Sequence, residues 1–193
     1  MNEILIDQKV ASRKFENEID SFYKLANDYS EKGWKVLYDT FPFFGVELDY
    51  TFKGKNIKFL VLEFDFTNYN IEPIKVKVMF PKDIARHEQE FYLTDLNDRL
   101  LRIIYDKDKL NTLLTNHHKT FEPFICLQGT YEYHSHKQHE GDFWDLYRYS
   151  GEGKLGNLLY QIWNGSINSY TRKVCETFDI NNTKRIELYQ PKK

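Results

Sequence analysis

Three segments in the first half of the chain alternate apolar and polar residues with period two, and short polar turns separate them. VELDYTF (46–52) sets Val46, Leu48, Tyr50 and Phe52 on one side and Glu47, Asp49 and Thr51 on the other. IKFLVLEFDF (57–66) follows a turn around Gly54 and gathers Leu60, Leu62, Phe64 and Phe66. IKVKVMF (74–80) aligns Ile74, Val76, Val78 and Phe80 opposite its lysines, and Pro81 ends it. Successive side chains of an extended chain point to opposite faces, so each segment has one face to bury. Such strands in close succession pair antiparallel, and their shared apolar face must be covered. WKVLYDT (34–40) adds a shorter strand ahead of them.

The cover is expected from helices. Phe15, Ile19, Phe22, Ala26 and Tyr29 recur at spacings of four and three, with Ser12 as N-cap and Gly33 as terminator. Beyond SGEG, Leu155, Leu158, Leu159, Ile162 and Trp163 make a second amphipathic stripe. A further helix is expected through Ile167, Tyr170, Val174 and Phe178, then a loose polar tail over 180–193. Between 83 and 118 the periodicity fades, which allows a short extended piece and one or two helical turns. Residues 121–145 read largely as loop. The order predicts one α+β domain over 1–193. GEGKLG (151–156) has the glycines of a phosphate-cradling loop, but it follows no clear strand and lacks the closing Gly-Lys-Ser/Thr. It reads as a turn into the last helix.

A content of 41% hydrophobic and 17% aromatic residues in 193 is ample for a core. A net charge of -2 without a dense basic run argues against a nucleic-acid partner. No apolar run approaches the ~20 residues of a membrane span, and the amino terminus lacks the layout of a signal peptide. Two cysteines make no disulfide framework. These features predict a soluble, cytoplasmic protein without a membrane partner.

Chemistry concentrates in FICLQGTYEYHSHKQHEGDFWDLYR (124–148), where three of the six histidines fall within six positions. In one reading Cys126 is a nucleophile, since a thiolate both attacks and leaves well, and His118, His134 or Asp142 assists it. In another, Cys126, Glu132, His134 and either His136 or His139 hold a metal ion. Zinc favours thiolate and imidazole and accepts a carboxylate. An extended 132–136 would put Glu132, His134 and His136 on one side. In a third, the histidines are polar surface and the chain is an interaction module without chemistry. Cys175, between Val174 and Phe178, reads as a core residue of a helix.

A helix, a meander ending in Phe-Pro, an irregular stretch with a cysteine, and closing helices together resemble the ubiquitin-conjugating enzyme fold. IKVKVMFPKD (74–83) is similar to that family's last meander strand, and FICLQG (124–129) to the segment presenting its catalytic cysteine. TNHHKTFEP (115–123) stands where the family has His-Pro-Asn. That motif is absent, with Asn116 and His118 the nearest substitutes, and the histidine-rich stretch is foreign to the eukaryotic enzymes. The chain also resembles bacterial proteins of ubiquitin-like operons. These include divergent conjugating enzymes and a companion with a Cys-Glu-His-His pattern, which Cys126, Glu132, His134 and His136 or His139 follow in order. The resemblance implies a thioester on Cys126, a ubiquitin-like protein and its activating enzyme as partners, or zinc as a cofactor. It also implies a place in defence against phage.

Overall fold

The computed structural model describes residues 3–52, 55–79, 102–106, 109–112, 114–119 and 123–165. Its first helix, α1 (Gln8–Lys24), begins a turn earlier than Ser12 because Asp7 caps it, its side chain accepting from the Lys9 N–H. The chain breaks at Leu25 and resumes as α2 (Ala26–Glu31), so Tyr29 reaches the core from a second helix. Ser12 instead faces solvent and hydrogen-bonds Glu16.

The alternating segments form β1 (Trp34–Thr40), β2 (Phe43–Phe52), β3 (Lys55–Asp65) and β4 (Lys75–Met79), each antiparallel to the one before. Val46, Leu48, Leu60, Leu62, Phe64, Phe66, Ile74, Val76 and Val78 are buried on the expected face. Between Leu48 and Asp49 the partner shifts from Leu60 to Lys58, a bulge of one residue in β3. Glu47 and Asp49, read as the polar face, are buried too, and Asp49 pairs with Lys35. Alternation shows which residues seek the core, but not what meets the other face.

A separate hairpin follows, β5 (Arg102–Asp106) with β6 (Lys109–Thr112). β7 (Leu114–Asn116) and β8 (Pro123–Ile125) then return to the main sheet, giving the order β1-β2-β3-β4-β8-β7. The meander is thus extended on its β4 side; the described part of 83–118 is extended, in line with the short extended piece expected there, while 83–101, where helical turns were also expected, lies outside the described residues. The stretch after β8 is not loop throughout. It contains α3 (Tyr131–His134), a 3₁₀ turn (Lys137–His139) and α4 (Trp144–Tyr147).

The last described helix, α5 (Leu155–Trp163), buries Leu155, Leu158, Leu159 and Ile162 in one cluster with Phe15, Ile19 and Phe22 of α1 and the inward sheet residues. No side chain of its N-cap Lys154 satisfies its first turn. Glu18 of α1 does so: Oε2 accepts from the Leu155 N–H at 3.0 Å and Oε1 from the Tyr69 hydroxyl at 3.1 Å. Burial raises the Glu18 pKa. Gly153, in the supposed phosphate loop, touches the Trp144 ring so closely that a Cβ would lie 2.3 Å from it. That explains the glycine without a ligand. No helix among the described residues is long and apolar enough to cross a membrane. Phe80, Pro81, the expected helix through 167–178 with Cys175, and the tail lie outside the described residues.

Candidate active site

Cys126 follows the last residue of β8, where the chain turns sharply. The Leu127 N–H donates to the Ile125 carbonyl at 2.9 Å, closing a three-residue turn with the cysteine at its centre. The buried Thr130 clamps this turn. Its hydroxyl donates to the carbonyls of Leu127 (2.8 Å) and Ile125 (3.3 Å), on either side of the cysteine. The same oxygen accepts from the Tyr133 N–H and so starts α3. Tyr131 N–H donates to the Ile74 carbonyl at 2.9 Å, which ties the helix to the sheet.

The imidazole that reaches the thiol is His139, with its Nε2 3.5 Å from Cys126 Sγ. On the far side of the ring, Nδ1 lies 3.8 Å from Asp142 Oδ2. Asp142 Oδ2 in turn accepts from the Tyr133 hydroxyl at 2.9 Å. Tyr133 also stacks on His139, with centroids 3.7 Å apart and planes 21° apart. Cysteine, imidazole and carboxylate thus stand in series, the first pair at an ordinary hydrogen-bond length for sulfur and the second slightly beyond hydrogen-bond reach. Catalytic contacts are commonly this loose before substrate arrives. Burial pushes the Cys126 thiol pKa up. Burial holds His139 below the usual imidazole range, although Asp142 pulls the other way. The resting pair is therefore a neutral thiol beside a neutral imidazole, which suits general-base activation at the moment of attack.

The remaining predicted residues have other placements. His134 is spent on the backbone: Nδ1 lies 2.5 Å from the Asp142 carbonyl and Nε2 accepts from the Gly129 N–H at 3.2 Å. With Nδ1 donating and Nε2 accepting, it is a neutral strut between the cysteine turn and Asp142, and burial lowers its pKa. Glu132 points to the sheet, where Oε2 accepts from the Val76 N–H at 3.1 Å. This is where β8 pairs β4 only through Lys77 and Phe124. Burial raises the Glu132 pKa to about 7. His136 is buried, stacks on Phe124, and accepts from the Gln138 N–H through Nδ1. His118 sits 4.7 Å from both His117 and His136, ring to ring.

The helical turn at 131–134 removes the extended geometry that would have aligned Glu132, His134 and His136. Of the five donors considered for a metal, Cys126 and His139 meet, while Glu132 and His134 are committed to backbone groups. Among the described residues, no group of three or more His, Cys, Asp and Glu side chains is arranged to hold a metal ion. Sequence reasoning placed His139 only among metal ligands and passed over Tyr133 and Thr130. The Thr130 signal was available, since a threonine followed by a helical turn is a common N-cap. No local pattern pairs Cys126 with a histidine thirteen residues on.

Fold and site together define an α+β protein with a cysteine-centred polar site beside an antiparallel meander. The model of the Y4jH-like (Y4jH) family matches residues 6–170, and the chain belongs to that family. It is similar to a protein of Sinorhizobium fredii (strain NBRC 101917 / NGR234) described as "Uncharacterized protein y4jH". The two are 29% identical over 174 residues, which cover 81% of this chain and 82% of the relative.

Proposed function

We propose that the chain is a cysteine-dependent acyl-transfer protein, with Cys126 as nucleophile, His139 as base and Asp142 as the group that orients the base. The observation that carries this is the series Cys126 Sγ, His139 Nε2, His139 Nδ1, Asp142 Oδ2, at 3.5 and 3.8 Å. As Sγ attacks a thioester carbonyl, its proton passes to His139 Nε2, and the same proton goes to the departing thiolate. Attack by an amine on the Cys126 thioester then forms an amide and returns the thiol. The finer reading is that the acyl group is the carboxyl terminus of a ubiquitin-like protein delivered by an activating enzyme. It rests on the likeness of 74–83 and 124–129 to conjugating enzymes.

A peptide thioester tests the coarser reading. Intact mass should show one acyl group on Cys126, released by hydroxylamine, absent in Cys126→Ala and slowed roughly a hundredfold in His139→Ala. Equal labelling of Cys126→Ala would overturn it. A ubiquitin-like protein activated by its own enzyme tests the finer reading, through an oxyester on Cys126→Ser.

The contact between Cys126 and His139 also brings two good zinc ligands together, which supports a second reading of the same site as a metal centre. Metal analysis of untagged protein separates the two. About one zinc per chain, lost in Cys126→Ser, would replace the thioester reading.

A further inference from the structure

We infer that Tyr133 is the positioning residue of this site, holding both His139 and Asp142 in register with Cys126. The inference rests on the acyl-transfer reading above. Two independent contacts of one side chain carry it: the hydroxyl donates to Asp142 Oδ2 at 2.9 Å, and the ring lies flat on His139 at 3.7 Å. Asp142 is more than a third exposed, and a carboxylate in that setting turns freely unless something holds it. Tyr133 supplies that hold on the same oxygen that faces His139 Nδ1. By covering one face of the imidazole it also fixes the ring plane, so that Nε2 stays aimed at Cys126.

The neighbouring residue completes the frame, since His134 holds the Asp142 backbone while Tyr133 holds its side chain. Both come from α3, whose start is set by Thr130, the residue that clamps the cysteine turn. One short helix therefore fixes the nucleophile and the orienting carboxylate relative to each other. The His139 tautomer with the proton on Nδ1 and a free Nε2 is the one that can accept a thiol proton. Tyr133 acts by keeping Asp142 where it favours that tautomer.

The test uses the full chain and iodoacetamide, with modification at Cys126 read by peptide mass mapping apart from that at Cys175, and it needs no acyl partner. The alkylation rate is followed from pH 6 to 9, and the nitrogen shifts of His139 are read on ¹⁵N-labelled protein. Tyr133→Phe removes one oxygen and keeps the ring. It should lower the alkylation rate at neutral pH about fivefold and shift His139 away from the Nδ1–H tautomer, with little change in melting temperature. Asp142→Asn should do the same, and the double variant should be no worse than Asp142→Asn alone, because the two act through one path. Additive losses, or Tyr133→Phe shifts and rates equal to wild type, would overturn the inference. His139→Ala separates the levels. If it alkylates like wild type at every pH, the base reading itself fails. If it is slow while Tyr133→Phe is normal, only the role of Tyr133 fails.

Discussion

Glu132→Gln should stabilise the protein at alkaline pH and do little in acid. The folded-state pKa of Glu132 is about 7, raised from 4.5 chiefly by burial. Between those values the folded chain keeps a proton that the unfolded chain releases. The stability contributed by the protonated carboxyl is complete below pH 4.5 and is lost as pH rises through 7. A gap of about 2.5 pKa units corresponds to at most about 3 kcal/mol, less whatever solvent screens at this partly exposed side chain. Glutamine does not ionise and can still accept from the Val76 N–H through its side-chain oxygen. Urea unfolding of both proteins at pH 5 and pH 8 is the assay. The variant should exceed wild type by less than about 1 kcal/mol at pH 5, where a small part of the effect is already present, and by about 2–3 kcal/mol at pH 8, roughly 4–12 °C in Tm. The histidines held below their usual range act with the opposite sign, gaining stability as pH rises. They are present in both proteins and cancel in the difference. A difference that does not vary with pH, or a wild type that is the more stable at pH 8, would refute the reasoning.

Other substitutions probe the frame around the site. Gly129 has φ +96°, and a Cβ there would meet the Glu152 carbonyl at 2.6 Å, so Gly129→Ala should cost about 3 kcal/mol or more in urea unfolding. Glu18→Ala strips α5 of its first-turn acceptor and leaves the Tyr69 hydroxyl without this partner, which should cost about 1–3 kcal/mol by the same measure. Thr130→Val keeps the shape but loses the hydroxyl clamp. It should destabilise by about 1–3 kcal/mol and slow Cys126 alkylation together. Leu158→Ala, in the centre of the helix–sheet core, should cost about 2–5 kcal/mol, and no loss would mean that α5 is not docked as described.

The parts of the fold legible in the sequence were those with sustained periodicity. Phe15, Ile19 and Phe22 announce α1, and Leu155, Leu158, Leu159 and Ile162 announce α5. The paired alternations at 46–52, 57–66 and 74–80 announce the meander. Strands as short as β7 and β8, and one-turn helices such as α3 and α4, span too few residues for any period to register. Their form is set by tertiary partners, such as Ile74 for Tyr131 and Asn70 for the Trp144 indole. The candidate site was legible as a place and not as an arrangement. Cys126 and Asp142 both stand out in the sequence, but which imidazole lies beside the thiol, His139 rather than His134, depends on which backbone groups each ring meets. That is a property of the folded turn.

Gly129 lies against the backbone of Glu152 and Gly153, and Leu155 beyond them is held by Glu18, from the other end of the chain. A growing chain that has not yet emerged past Leu155 carries Cys126, His139 and Asp142 but lacks the surface on which their turn is moulded. During synthesis, the packing of Gly129 on Glu152 and Gly153 can therefore form only once those residues have emerged, and the turn that carries Cys126 is completed when the last described helix closes on the first.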